Sequence, residues 1–203
     1  MLVDLDHPLV SCVLENPSIR PIWDRWDELA LPDCWIVAGC LAQTVWNTKF
    51  GYPLCRGLSD IDLVYFDLVY FDPDDLTESI EQSRAKRVGD LFCDLGLWID
   101  AKNEARVHLW YEAKFGYAIA PYTSVVDAIE SFPTTATSVG IRPADDGAEI
   151  ACPFGLDDLF GGIVRPNKRQ ITRGIYSSKV QKWLAHWPSL QVVPWEDAKD
   201  VYD

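Results

Sequence analysis

The sequence predicts one mixed α/β domain, on three observations. A buried apolar strand, Trp35-Ile36-Val37-Ala38, runs through Gly39-Cys40 into a helical pattern of Leu41, Val45, Trp46 and Phe50. Two further strand patterns, starting at Asp60 and covering 97–101, alternate with helical stretches. Near the carboxyl end, Ala136 to Arg142 and Ala148 to Cys152 flank Asp145-Asp146-Gly147, a hairpin pattern in which Asp-Gly supplies positive φ.

Composition sets the frame. A chain of 203 residues, 48% apolar and 24% charged, can bury a sizeable core without disulfide or metal staples. No apolar run approaches the roughly 20 residues of a membrane span, and the amino terminus lacks the basic flank of a signal peptide, so the expected compartment is the cytoplasm. Six cysteines (Cys12, Cys34, Cys40, Cys55, Cys93, Cys152) lack Cys-x-x-Cys spacing and read as reduced thiols. A net charge of −13 disfavours nucleic acid as partner, because that affinity comes from clustered cations. Arg165, Lys168, Arg169 and Arg173 form the local exception.

Taken in order, Ile22, Trp23, Trp26 and Leu29 predict a helix over 17–30, closed by Pro32. After the strand-glycine-helix unit, Gly51-Tyr52-Pro53 stops the helix and 51–59 reads as a loop. The strand beginning at Asp60 contains a tandem pentapeptide, Leu63-Val64-Tyr65-Phe66-Asp67 followed by Leu68-Val69-Tyr70-Phe71-Asp72. Five extra residues reverse the in/out phase of a strand, so they must be absorbed at Asp67 or beyond. Pro73-Asp74-Asp75 marks the start of a helix reaching Leu95. A helix over 103–115, a short one over 124–129 and a last one over 173–187 complete the order. The whole chain reads as one domain, with a core over about 1–120 and a hairpin-plus-helix extension over about 121–203.

Chemistry concentrates at Asp60-Ile61-Asp62. Carboxylates at i and i+2 on a strand share a face, about 6 to 7 Å apart, which suits hard cations. Magnesium needs few protein ligands, since water and phosphates complete its shell. Standing alone, the tripeptide reads first as a strand-end cap, since so short a motif matches by chance. Gly39 lies where a helix amino terminus favours phosphate, and Asp100 ends a neighbouring strand as a possible third carboxylate.

Longer strings carry a resemblance. Asp-Ile-Asp-Leu-Val-Tyr-Phe-Asp from Asp60, Ala-Arg-Val-His-Leu-Trp-Tyr (105 to 111), Phe-Pro-Thr-Thr-Ala-Thr (132 to 137) and Phe-Gly-Leu-Asp-Asp-Leu-Phe (154 to 160) resemble the bacterial nucleotidyltransferase family once called DUF925, within the DNA polymerase β-like nucleotidyltransferase superfamily. The likeness runs from about Trp35 to Trp195. It implies a mixed sheet flanked by helices, with Gly39 and Cys40 approaching a triphosphate and Asp60, Asp62 and Asp100 as ligands of Mg2+ or Mn2+. The implied reaction transfers a nucleoside monophosphate from an NTP, with ATP the expected donor, to an unidentified acceptor. Ser59 and Arg56, in the loop before Asp60, are assigned to the nucleotide side, although a single loop arginine also reads as solvated. Arg106 and His108 fall in a family-like string and suit phosphate binding or proton transfer; His108 reads equally as a hydrogen-bonded core histidine. Trp46 and Trp110 are candidates to stack a base, although most of the nine tryptophans read better as core or lid packing. The superfamily usually has Gly or Ser where Cys40 stands, and a thiol is a weak partner for phosphate. The alternative function is therefore a non-catalytic nucleotide-binding or partner-binding protein.

Overall fold

A computed structural model describes residues 1–68 and 79–198. Its centre is a six-stranded mixed sheet in the order β1-β6-β5-β2-β3-β4, from β1 (Leu2–Val3), β2 (Trp35–Val37), β3 (Asp60–Tyr65), β4 (Trp98–Asn103), β5 (Gly140–Ala144) and β6 (Gly147–Ala151). Only β3 and β4 pair in parallel; the other neighbours are antiparallel. That single parallel step needs a crossover, supplied by the helix α5, described over Ser79–Leu91. The mixed α/β architecture expected from the sequence is the one present.

Alternation explains which face is buried. Ile36, Ile61, Leu63, Ile99 and Ala101 point to one side and enter the main core with Leu41 and Trp46 of α4 (Gly39–Phe50) and with Val88 of α5. Each such aliphatic side chain stabilises the fold by about 1.5–3 kcal/mol when fully buried. Trp35, Val37 and Val64 point to the opposite side and meet Val125 and Ile129 of α7 (Val125–Ile129), whose cap Ser124 accepts from the Asp127 N–H. This packing needs Gly140 in β5, since a Cβ there would lie 2.8 Å from Ile129 Cδ1.

The predicted hairpin is present and joins the sheet through β2, with Ile36 opposite Ile141. It turns in two residues between Ala144 and Gly147. Gly147 has φ 138°, and a Cβ on it would come within 2.3 Å of the Val3 carbonyl oxygen, so β1 can pair only because this residue is glycine. The strand expected from Ala136 starts later, because Thr134 caps a 3-10 turn over Thr135–Thr137 first.

Other boundaries shift for local reasons. The helix expected over 17–30 divides into α2 (Arg20–Asp24) and α3 (Trp26–Leu29), because Arg25 leaves the helical region at φ −114°, ψ 30°. A helix before it, α1 (Pro8–Leu14), is short and capped by His7. The stretch 103–115 opens as a 3-10 turn, Glu104–Arg106, before α6 (Val107–Phe115). The helix start expected at 73–75 lies outside the described residues. Asp157 and Asp158 open α8 (Asp157–Gly161), and β7 (Ile163–Val164) pairs with β8 (Gln191–Val192) around α9 (Arg173–His186). The last helix docks through aromatic edges: Trp46 meets Trp183 and Trp187 at ring distances of 5.5 and 5.6 Å. Trp187 Nε1 donates to Asn47 Oδ1 at 2.7 Å.

Candidate active site

Along β3 the parity that buries Ile61 and Leu63 sends Asp60 and Asp62 to the other face. The parallel register sets Asp62 beside Asp100, Val64 beside Lys102 and Asp60 beside Trp98. Neighbouring strands lie about 4.8 Å apart, so three carboxylates share one patch of sheet surface. On its other side β3 pairs with β2, where Val37 opposes Asp62. The chain then turns sharply at Ala38, at φ 59°, ψ −123°, and α4 begins at once. The strained residue of this turn is thus Ala38 rather than Gly39. Gly39 serves a different end: a Cβ on it would lie 4.0 Å from Asp62 Oδ2 and 3.3 Å from Gln43 Nε2. No side chain caps this helix, and its amino terminus opens directly beside Asp62.

Electrostatics follow from the crowding. Burial, then the charges of Asp60 and Asp100, push the Asp62 carboxyl up to about 6, while Lys102 and Lys179 draw it back. Lys102 forms an ion pair with Asp100. Ser59 Oγ donates to Asp60 Oδ1 at 2.8 Å, so its hydroxyl orients the carboxylate.

Among the described residues, no three His, Cys, Asp or Glu side chains close around a single point. The donor set nonetheless fits a hard cation. Two aspartates on one strand face give oxygen ligands, their repulsion is what a cation would relieve, and magnesium commonly takes one or two carboxylates with water and phosphate. Lys102 meanwhile turns the third carboxylate, Asp100, toward itself.

Cys40 is fully inside the core, where its thiol donates to the Val37 carbonyl at 3.2 Å and burial pushes its pKa upward. Its side chain is therefore turned away from any phosphate at the helix end, leaving only backbone there. Arg56 is anchored away from the amino end of α4. Asn47 holds its carbonyl at 2.9 Å and its guanidinium stacks 4.1 Å over Tyr52, at the far end of α4. Eight residues of helix separate Asn47 from Gly39, about 12 Å. Arg106 is buried and pairs with Glu81 at 3.4 Å. The imidazole of His108 is held below its ordinary pKa by burial, with the Ala105 backbone opposing and Arg106 adding to the effect. Trp46 is fully buried packing, unavailable to a base.

Two residues near the site went unread in the sequence. Glu104 is 5% exposed, and burial pushes its carboxyl up to about 8, with Lys102 opposing and Glu81, Asp62 and Asp100 adding to the rise. Continuing the strand parity of Asp100 and Lys102 by two residues would have found it. Gln43 sits one helical turn beyond Gly39, with its Oε1 buried and without a hydrogen-bond partner. The i, i+4 spacing from Gly39 was its signal.

A family model described as Nucleotidyltransferase matches residues 24–192. The chain belongs to this nucleotidyltransferase family. An NMR structure reported to reveal a CCA-adding enzyme head domain is similar at TM-score 0.72 and 24% identity, covering 92% of this chain and 94% of that one. At that identity the likeness speaks to fold, and it matches the mixed sheet with flanking helices. A search of curated proteins found no match. Among the described residues of this nucleotidyltransferase family member, no helix is long and apolar enough to cross a membrane.

Proposed function

We propose that the protein is a metal-dependent nucleotidyltransferase that moves a nucleoside monophosphate from an NTP, with ATP the expected donor, to an acceptor hydroxyl. The observation that carries this reading is the register pairing Asp62 with Asp100 beside the uncapped helix end at Gly39. Asp60 and Asp62 would hold Mg2+ or Mn2+, with Asp100 as third ligand. When bound, such an ion neutralises charge building on the phosphate oxygens.

The chain's own groups do the rest. Backbone N–H groups of the first turn of α4, with its dipole, face the triphosphate, and Gly39 lets phosphate approach without a Cβ. Ser59 fixes the orientation of Asp60. Asp100 receives the proton of the acceptor hydroxyl as its oxygen attacks the α-phosphorus, and the bond to the bridging oxygen breaks to release pyrophosphate. Lys102, the ion-pair partner of Asp100, is a nearby cation for the incoming negative charge.

A second reading, a nucleotide-binding protein without turnover, draws on the Lys102–Asp100 ion pair, which occupies the third carboxylate. Turnover separates the two. Labelled NTPs with magnesium and a lysate fractionated into small molecules, proteins and RNA should release pyrophosphate and label one fraction, and Asp62→Asn should do neither. Magnesium-dependent binding of NTP with no pyrophosphate from any fraction would favour the binder.

A further inference from the structure

Beside Asp100 lies a small hollow of about 190 Å³ lined by Glu81, Lys102, Trp110 and Lys114. Lys102 belongs to both: it lines the hollow and pairs with Asp100, the carboxylate placed next to the attacking hydroxyl. Lys114 stands over the Trp110 ring at 5.2 Å. In a chain of net charge −13, none of the ion pairs among the described residues uses Lys114, Lys179 or Lys182. Lys179 nevertheless lies within electrostatic reach of Asp60, Asp62 and Lys114. Of the two lysines that line the hollow, Lys102 shares its charge with Asp100, and Lys114 is in none of those ion pairs, so its charge is left for a ligand.

Glu81 does not oppose an anion there. One of its oxygens accepts from the Asn103 N–H at 3.0 Å, and Arg106 pairs with the other at 3.4 Å, so Arg106 offsets much of its charge. The volume decides what fits. Pockets that enclose a drug-sized ligand run from about 300 Å³ upward, so this hollow, which is open to solvent, covers about one phosphorylated ring of a ligand rather than a whole nucleotide. Ammonium groups bind phosphate as point charges, and the Trp110 face packs against a ring.

We infer that the hollow bounded by Lys102, Trp110 and Lys114 is the acceptor site, and that the acceptor is a small phosphomonoester of sugar size whose hydroxyl is presented at Asp100. This deepens the nucleotidyltransferase reading and rests on it.

The test is a titration followed through the Trp110 indole N–H resonance, assigned by its loss in Trp110→Phe. Ribose 5-phosphate, inorganic phosphate, gluconate and ribose serve as probes without magnesium, and ATP is added last as a competitor. Ribose 5-phosphate and phosphate should shift the resonance, with ribose and gluconate inert. Lys114→Gln should weaken ribose 5-phosphate at least tenfold, and Trp110→Leu, followed by calorimetric titration because it lacks the indole reporter, should weaken it several-fold while sparing inorganic phosphate. Asp60→Asn should bind it as wild type does, which separates this site from the metal site. No shift with either phosphate, equal binding by Lys114→Gln, a shift with gluconate alone, or displacement by ATP would overturn the inference. Wild type that binds ribose 5-phosphate but never a magnesium-NTP complex would instead sink the donor reading.

Discussion

Asp62 and Asp100 stand side by side across the one parallel step of the sheet, and β2 delivers Gly39 to the same spot from the other side. This arrangement concentrates like charge where a helix end offers the opposite polarity. Its cost shows in Asp62, pushed up to about 6.

That shift gives a pH dependence with a definite sign. Asp62 ionises near 3.8 in an unfolded chain and near 6 in the fold, so metal-free stability falls as pH rises through that window. Binding of magnesium with nucleotide needs the ionised form. The magnesium-dependent nucleotide affinity is therefore expected to fall as pH drops below about 6, read by calorimetric titration between pH 5 and 8. A flat profile would show that Asp62 is no ligand.

Glu104 carries the larger shift, from 4.5 to about 8, again a raised acid whose ionisation opposes folding. Glu104→Gln should stabilise the metal-free protein at pH 8 by about 2–4 kcal/mol and change little at pH 4. Denaturant unfolding at the two pH values checks this. A loss of stability at pH 8 would mean that the carboxylate holds a partner the fold depends on.

The period-two alternation of β3 made Asp60 and Asp62 legible from sequence, and the end of an apolar run marked Asp100. The hairpin and α9 were equally clear, because Asp-Gly and a long helical pattern are local signals. Glu104 escaped because it opens a stretch read as helix, where strand parity is not applied. Sequence proximity of Arg56 to Asp60 does not reveal that its loop is anchored at Asn47 and Tyr52. Pairing of Val3 with Ala148 is set by tertiary packing that a two-residue strand cannot announce.

Gly39 and Cys40 are neighbours with opposite expectations. Gly39→Ala adds a methyl 3.3 Å from Gln43 Nε2, which a side-chain shift absorbs, so stability should change by no more than about 1 kcal/mol. The same methyl points at Asp62, and nucleotide affinity should fall at least tenfold. Cys40→Ser keeps a donor to the Val37 carbonyl and should leave affinity within twofold, with a loss of about 1 kcal/mol of stability. Reversal of this pattern in paired binding and melting assays would move the phosphates away from the α4 terminus.

The duplicated pentapeptide ends its strand at Tyr65, after which Asp67 is clamped by Asn103 on both its N–H and carbonyl and by Arg84 at 2.7 Å. Leu68 opens the second copy exposed, and 69–72 lie outside the described residues. Deleting 63–67 joins Asp62 to an identical Leu-Val-Tyr-Phe-Asp, so the variant should unfold cooperatively in urea near the wild-type midpoint. A broad, non-cooperative transition would show that both copies are required.

The central claim is tested most directly by melting curves at pH 8 for wild type, Asp60→Asn and Asp62→Asn, each with and without magnesium and a non-hydrolysable NTP. Wild type should gain stability only when both are present. Each variant should lose that gain, and its metal-free melting point should equal the wild type or exceed it by a few degrees, because removing one of two repelling carboxylates relieves the fold. A magnesium-dependent nucleotide shift that survives in both variants would contradict the account, and Asp60-Ile61-Asp62 would then be the cap of a strand and nothing more.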